Sequence, residues 1–225
     1  MPGPTTDLSL EDFAERFVEG LDSFLPPDGL QEMAHHCWLV AKRNAGMNLT
    51  RIVEPEDMAV RHVLDSLAAL PILIGTEEAP VTRVLDLGTG AGFPGLTLAC
   101  AIPGLEMTLL DSTRKKVAFL AEVVDELGLQ ERVVCEWSRF EDYIRPHRKH
   151  YDLVLARAVG PLARLLEWTT NRWYGPMVLW KGPGFDAELA EAKDLMRRRR
   201  LEVRLDLPYL LPGDDTERRL VIIDI

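Results

Sequence analysis

The stretch VLDLGTGAGFPG, residues 84–95, sets four glycines and an aspartate directly after the start of a strand-like run. Glycines at 88, 90 and 92 permit positive φ and let a ligand approach the backbone, while Pro94 suits the first turn of a following helix. The next strand-like run, MTLLD at 107–111, ends on Asp111, 23 residues after Gly88. A carboxylate at that place accepts hydrogen bonds from the two hydroxyls of a ribose. A glycine loop alone also fits a tight turn, but loop, strand end and acid together point to a nucleoside cofactor. A dinucleotide site shows G-x-G-x-x-G, whereas this spacing is G-x-G-x-G preceded by Asp86, and the Gly-Lys-Ser/Thr of a phosphate-cradling loop is absent.

Around this loop, VTRVLDL, MTLLD, RVVCEW, YDLVLARA and PMVLWK are short runs rich in Val and Leu, separated by stretches long enough for helices. Such alternation predicts βαβ units and a parallel sheet covered on both faces. LEVRLDLPYL and ERRLVIIDI, joined by LPGDDT, predict a terminal hairpin that adds an antiparallel edge. Residues 1–80 read as helices. Ser9 and Asp12 form a capping-box pattern ahead of Phe13, Phe17 and Leu21, and LPPDG at 25–29 ends that helix. A second helix begins near Leu30, with Met33, Cys37, Trp38 and Ala41 on one side. A third carries an apolar face of Val60, Val63, Leu64, Leu67 and Leu70. The expected organisation is an N-terminal helical extension over 1–80 and an α/β domain over 81–225.

The chain has 225 residues, 47% hydrophobic and 28% charged, enough apolar material for a sizeable core. Its start lacks a signal-peptide pattern and no window is apolar enough to span a bilayer, so the expected location is the cytoplasm, with no membrane partner. Cys37, Cys100 and Cys135 are too few and too scattered for a disulfide framework or a zinc site, and each is expected to be buried; no metal site is read. A formal net charge of -10 argues against holding nucleic acid by bulk attraction. The excess sits in residues 1–80, with 14 acidic and 5 basic side chains, against 22 and 21 in the remainder. An anionic partner should therefore meet local basic patches.

The acid before G-x-G-x-G, the acid ending the second strand and the terminal hairpin together resemble the Rossmann-like seven-stranded methyltransferases that use S-adenosyl-L-methionine. NLTRI (48–52), RHVLDSL (61–67), DLGTGAGFPG (86–95), LLDSTRKKVAFL (109–120), SRFED (138–142), ARAV (156–159) and WKG (180–182) follow in that order. From about residue 30 onward they resemble the GidB/RsmG family, which methylates N7 of one guanine in 16S ribosomal RNA. The resemblance implies cofactor contacts at Gly88, Gly90, Phe93, Asp111, Ser112, Phe140, Glu141 and Arg157. It implies 16S ribosomal RNA or the small subunit as partner, and a monomer is expected. In RNAGMNLT, Ala45 stands where the family commonly has lysine, so one basic contact that the resemblance implies for the helical region lacks its side chain, while the cofactor site is untouched.

Guanine N7 already presents an in-plane lone pair, so methylation there needs alignment and exclusion of water rather than a general base. No Asn/Asp-Pro-Pro-aromatic motif for exocyclic amines and no Pro-Cys nucleophile is present. Arg157 and Lys181 are the candidate catalytic cations, and Asn48, Thr50, Arg139 and Lys181 are the RNA-contact candidates. Asn48 and Thr50 either cap the approach to the third helix or touch RNA. Arg139 either contacts RNA or pairs with Glu141 or Asp142. Lys115 and Lys116 begin a helix and read as a solvated face. His62, Asp65 and Ser66, beside an apolar stripe, read as structural. The run RRRR at 197–200 reads as a solvated helix end, with a phosphate-contacting ridge as the alternative. Trp168, Trp173 and Trp180 read as core or domain-contact residues. Two other functions fit the same residues: methyl transfer to another acceptor, or a decayed transferase acting as an RNA-binding assembly factor.

Overall fold

Valine- and leucine-rich runs that lie buried on both faces form the middle of a seven-stranded sheet. The computed structural model describes residues 7–21, 29–74, 81–144, 146, 151–168 and 175–225; the expected break at 25–28 and Trp173 lie outside them. The strands are β1 (Arg83–Leu87), β2 (Glu106–Asp111), β3 (Val133–Trp137), β4 (Leu153–Arg157), β5 (Met177–Lys181), β6 (Glu202–Leu211) and β7 (Asp214–Asp224). Their order is β3-β2-β1-β4-β5-β7-β6. The first five are parallel and β7 is antiparallel to both β5 and β6, as the alternation and the hairpin pattern predict. The six-residue connection expected at 211–216 is tighter. Leu211 pairs with Asp214, and only Pro212 and Gly213, the latter at φ 70°, make the turn.

The order in which successive strands are added reverses between β1 and β4, so the carboxyl ends of these parallel strands open a crevice there. Gly88, Asp111, Ser138, Arg157 and Lys181 all sit at or just past those ends. The local sequence thus delivers Asp111, Arg157 and Lys181 to one rim.

Ahead of the sheet come α1 (Leu10–Leu21) and α2 (Leu30–Met47). The Ser9 hydroxyl accepts the Asp12 N–H at 3.1 Å and donates to its carboxylate at 2.7 Å, fixing the start of α1, and Phe13, Phe17 and Leu21 are buried. Asn48, at φ 50°, ends α2 in the left-handed conformation.

The third helix departs from the uniform apolar stripe expected. It runs as α3 (Pro55–Met58), a π-helical segment (Ala59–Leu64) and α4 (Asp65–Leu67), followed by α5 (Leu70–Ile74). The wider π turn shifts the phase of the side chains. Val63 is buried, but Val60, Leu64, Leu67 and Leu70 are only half-buried, while Asp65 and Ser66 turn fully inward.

Phe13, Phe17, Met33, Val40, Met58 and Val63 share one core with Leu98, Met107, Leu109, Leu155 and Val178, so the N-terminal helices cover one face of the sheet. The other face packs through Leu85, Val154, Leu179 and Val221 against α9 (Leu162–Trp168) and α10 (Phe185–Arg199). Between the strands lie α6 (Gly95–Ala101), α7 (Arg114–Glu126) and α8 (Phe140–Ile144). Cys37 and Cys100 are buried, but Cys135, on edge strand β3, is only half-buried, because that strand has a neighbour on one side alone.

Candidate active site

After β1 the backbone turns through Gly88 at φ 68°, Gly90 at φ 62° and Gly92 at φ 100°, values that strain any residue with a Cβ. The Gly88 and Thr89 N–H groups donate to the Leu110 carbonyl at 2.8 and 3.1 Å, tying the loop to β2. Asp111 completes the turn: Oδ2 accepts the Gly90 N–H at 3.1 Å and Oδ1 accepts the Thr113 N–H at 2.7 Å. A carboxylate has about four lone-pair sites, so roughly two stay available for ligand hydroxyls. Beneath the loop, Asp86 is buried and accepts the Gly95 N–H at 2.8 Å. Burial pushes its carboxyl up to about 6, against the Thr89 side chain and the Gly95 N–H, which favour the ionised form.

Phe93 lies buried under this loop. His62 stacks on it with ring centroids 4.5 Å apart, His36 lies 4.6 Å away, and the Arg157 guanidinium sits 5.7 Å above it. His36 Nε2 is 2.7 Å from the Ala91 carbonyl, so that nitrogen carries the proton and donates. Burial pulls the imidazoles down, to about 4 for His36 and, with Arg157 adding to the effect, to about 3 for His62. Both are neutral near pH 7. Thr50 shares a hydrogen bond with His62 at 2.8 Å and accepts the Ile52 N–H, so it braces the histidine from behind, whereas Asn48 is exposed at the end of α2.

Asp65 is the junction of the site. Its Oδ2 accepts from Arg157 at 2.8 Å and its Oδ1 from the Tyr209 hydroxyl at 2.7 Å; Arg218 lies 3.6 Å from Oδ1, and the Trp180 indole N–H donates to its carbonyl at 2.7 Å. Arg157 also reaches the His62 carbonyl and the Ser66 hydroxyl, both at 3.3 Å. One residue of α4 therefore gathers side chains from β4, β5, β6 and β7. Burial, with the neighbouring Asp65 carboxylate, drives the Tyr209 phenol well above its ordinary value, so it stays a donor.

Two hollows open on the rim. A cleft of about 130 Å³ is lined by Gly88, Asp111, Ser112, Arg139, Phe140 and Glu141 among others. A larger one of about 640 Å³ includes Arg61, His62, Asp65, Arg157, Lys181 and Arg218. Val159 lines both. Six of the residues expected from the sequence thus share the smaller cleft, with Gly90 bonded to one of them. Arg157 and Lys181 face the larger. Phe93 underlies the loop, and Asn48 and Thr50 line neither hollow. Arg139 is exposed, and among the described residues no ion pair joins it to Glu141 or Asp142. Arg197 pairs with Asp194 and Arg200 ends α10 at φ 59°, which makes these members of the arginine run a helix terminus. Trp180 is buried, while Trp168 is half-buried at the smaller cleft.

Tyr209 and Arg218 carried no distinguishing signal in the sequence, lying on a hairpin far from the glycine loop. Asp65 did: an acid and a serine within an otherwise apolar helical stripe mark buried polar groups that need partners.

Residues 29–206 match the family model described as rRNA small subunit methyltransferase G. Ribosomal RNA small subunit methyltransferase G of Solibacter usitatus is 38% identical over 92% of this chain and 99% of its own length. The protein of that name from Symbiobacterium thermophilum is 38% identical over 91% and 87%. Among solved structures, the METTL16 MTase domain aligns with TM-score 0.61 at 14% identity, covering 96% of this chain and 91% of that one. An O-methyltransferase from Bacillus cereus in complex with SAH aligns at 0.60 and 14%, covering 96% and 100%. These two establish a shared Rossmann-like methyltransferase fold. With the family model spanning most of its length, the chain belongs to the GidB family, rRNA small subunit methyltransferase G.

Proposed function

We propose that the protein transfers a methyl group from S-adenosyl-L-methionine to N7 of one guanine in 16S ribosomal RNA. The observation that carries this reading is the pair of hollows meeting at Val159 on the sheet's switch point. The smaller carries the polar groups that suit the cofactor, and at about 130 Å³ it encloses part of the molecule and leaves the rest over the open rim. Asp111 keeps acceptor capacity for ribose hydroxyls, and Gly90, with only the Gly88 carbonyl oxygen within 4 Å of where a Cβ would be, leaves open space above the backbone. Gly88, Asp111, Ser112, Phe140 and Glu141 would hold it there. When bound, the cofactor supplies an electrophilic methyl on a sulfonium centre.

The larger hollow takes the acceptor. Guanine N7 needs no proton removed before it attacks, and the histidine nearest the hollow is engaged elsewhere, stacked on Phe93 and bonded to Thr50. What the chain provides is alignment and exclusion of water. Arg61, His62 and Asp65 bring the helical region of residues 1–80 to the wall of this hollow, so the extension presents the substrate to the transferase domain of 81–225. Arg139, exposed beside the smaller cleft, is placed to meet RNA phosphate. No helix among the described residues is long and apolar enough to cross a membrane, and the reading is of a cytoplasmic monomer acting on the small subunit.

The test is transfer of labelled methyl to small subunits from a strain lacking this protein, with N7-methylguanine mapped by chain cleavage. One labelled guanine is the expected result. Label on another base, or on protein, would move the acceptor assignment, and no label in any assembly state of the subunit would overturn it.

A further inference from the structure

The segment just past β4, residues 158–162, forms the wall between the two hollows. Ala158, Val159, Gly160 and Pro161 all line the larger, and Val159 also lines the smaller. Its backbone is held in uncommon conformations, with Ala158 at φ 57° and Gly160 at φ 146°. Val159 presses on the glycine loop so closely that a Cβ on Gly88 would lie 3.0 Å from Val159 Cγ2. The shape of this wall therefore bears on both hollows at once.

Two side chains outside the wall fix it. Lys181, at the end of β5, donates from Nζ to the Gly160 carbonyl at 3.1 Å and to Glu188 Oε2 at 2.7 Å. The same Glu188 oxygen accepts the Leu162 N–H at 2.8 Å. The carbonyl of Gly160 and the amide of Leu162 are thus tied to one ion pair, which spans from β5 to the first turn of α10. The Lys181 side chain is only 8% exposed and two of its donors are engaged. A desolvated, paired ammonium is poorly placed to neutralise an RNA phosphate.

We propose that Lys181 and Glu188 are a positioning pair: they set the 158–162 wall so that acceptor and methyl donor meet in line, and Lys181 does not serve as an RNA-phosphate contact. This rests on the transferase reading above. Misplacement by about 1 Å costs on the order of a hundredfold in rate, so Lys181→Met and Glu188→Ala are each expected to lower kcat by about that factor. The KM for small subunits should stay within about twofold, since the pair is engaged with the wall and makes no contact with RNA phosphate. The double variant should be no worse than the weaker single, because the two act as a unit. Glu188→Gln, which keeps an oxygen for the Leu162 N–H, should fall between wild type and Glu188→Ala. A phosphate contact would instead raise KM in Lys181→Met and reduce the salt slope of RNA binding by about one, with kcat unchanged. That pattern, or strictly additive losses, overturns the proposal.

A second readout needs no acceptor. Hydrogen exchange at the Leu162 amide should accelerate by about tenfold or more in Glu188→Ala and Lys181→Met, while β4 amides keep their protection. Unchanged protection at Leu162 overturns the clamp even if the acceptor proves to be something other than ribosomal RNA. Accelerated exchange together with an inactive wild type leaves the clamp standing and the acceptor reading at fault.

Discussion

The Asp65 carboxylate and the Arg157 guanidinium meet at 2.8 Å across 92 residues of sequence, with side chains 5% and 14% exposed. Removing one partner of a buried pair leaves the other charge without compensation, at a cost of about 3 kcal/mol. Asp65→Asn should therefore lose about that much in urea unfolding. The double variant Asp65→Asn with Arg157→Met should lose less than the sum of the two singles. A loss from Asp65→Asn alone within experimental scatter would show that Tyr209 and Arg218 hold the junction without the ion pair.

Asp111 should govern cofactor affinity. Asn at this position retains one acceptor oxygen but brings an NH2 group towards the Gly90 or Thr113 N–H. The loss of one charged hydrogen bond, about 2 kcal/mol, corresponds to about thirtyfold in Kd. Calorimetric titration of S-adenosylmethionine into Asp111→Asn reads this directly, and an unchanged Kd would place the ribose elsewhere.

Two glycine substitutions should part stability from binding. A Cβ on Gly95 would lie 2.6 Å from Asp86 Oδ2 and from Leu109 Cδ2, so Gly95→Ala overpacks a buried site and should cost about 2 kcal/mol or more in stability. At Gly90 there is room but φ is 62°, so Gly90→Ala should cost about 1 kcal/mol and show its larger effect as weakened cofactor binding. Thermal melts with and without S-adenosylmethionine distinguish the two.

Stability should depend on pH through the histidines around Phe93. The folded protein keeps His36 and His62 neutral down to about 4 and 3, whereas an unfolded chain protonates its histidines near 6.5. Their contribution is complete above the unfolded value and is lost as pH falls from there towards the folded values, by up to about 1.4 kcal/mol per unit for each. Asp86 acts in the opposite sense: its folded value of about 6 lies above the ordinary 3.8, so acidification across that range recovers stability. His62→Gln removes one of these histidines while keeping a partner for Thr50. The stability difference between this variant and wild type, from urea unfolding at several pH values, should shift in the variant's favour from pH 6.5 to pH 4. A constant difference would mean that His62 takes up a proton in the fold.

The sheet was legible because its central strands are apolar on both faces and bounded by turn residues, so β1, β4 and β5 stand out without tertiary information. The smaller cleft was legible for a related reason: Gly88, Gly90 and Asp111 answer to backbone demands that act within one βαβ unit. The structural reading of Asp65 agrees with its buried ion pair, but the face it takes was not legible, because helical periodicity assigns faces at a fixed angle per residue and the π-helical segment just before it breaks that phase. Its partners Arg157, Tyr209 and Arg218 come from strands whose approach to α4 depends on the sheet order. Lys181 was placed correctly at a strand end, but its engagement by Glu188 and the Gly160 carbonyl arises only once α10 packs back.

The bond between Tyr209 and Asp65 joins residues 144 apart in the chain. As synthesis proceeds, the glycine loop and Asp111 can take shape while the C-terminal hairpin is still inside the ribosomal tunnel, but Asp65 must wait for β6 and β7. Contacts this distant form late. A nascent chain thus holds the loop of Gly88 and Gly90 before the junction at Asp65 is closed, and the larger hollow takes its final shape only when the last strands have emerged.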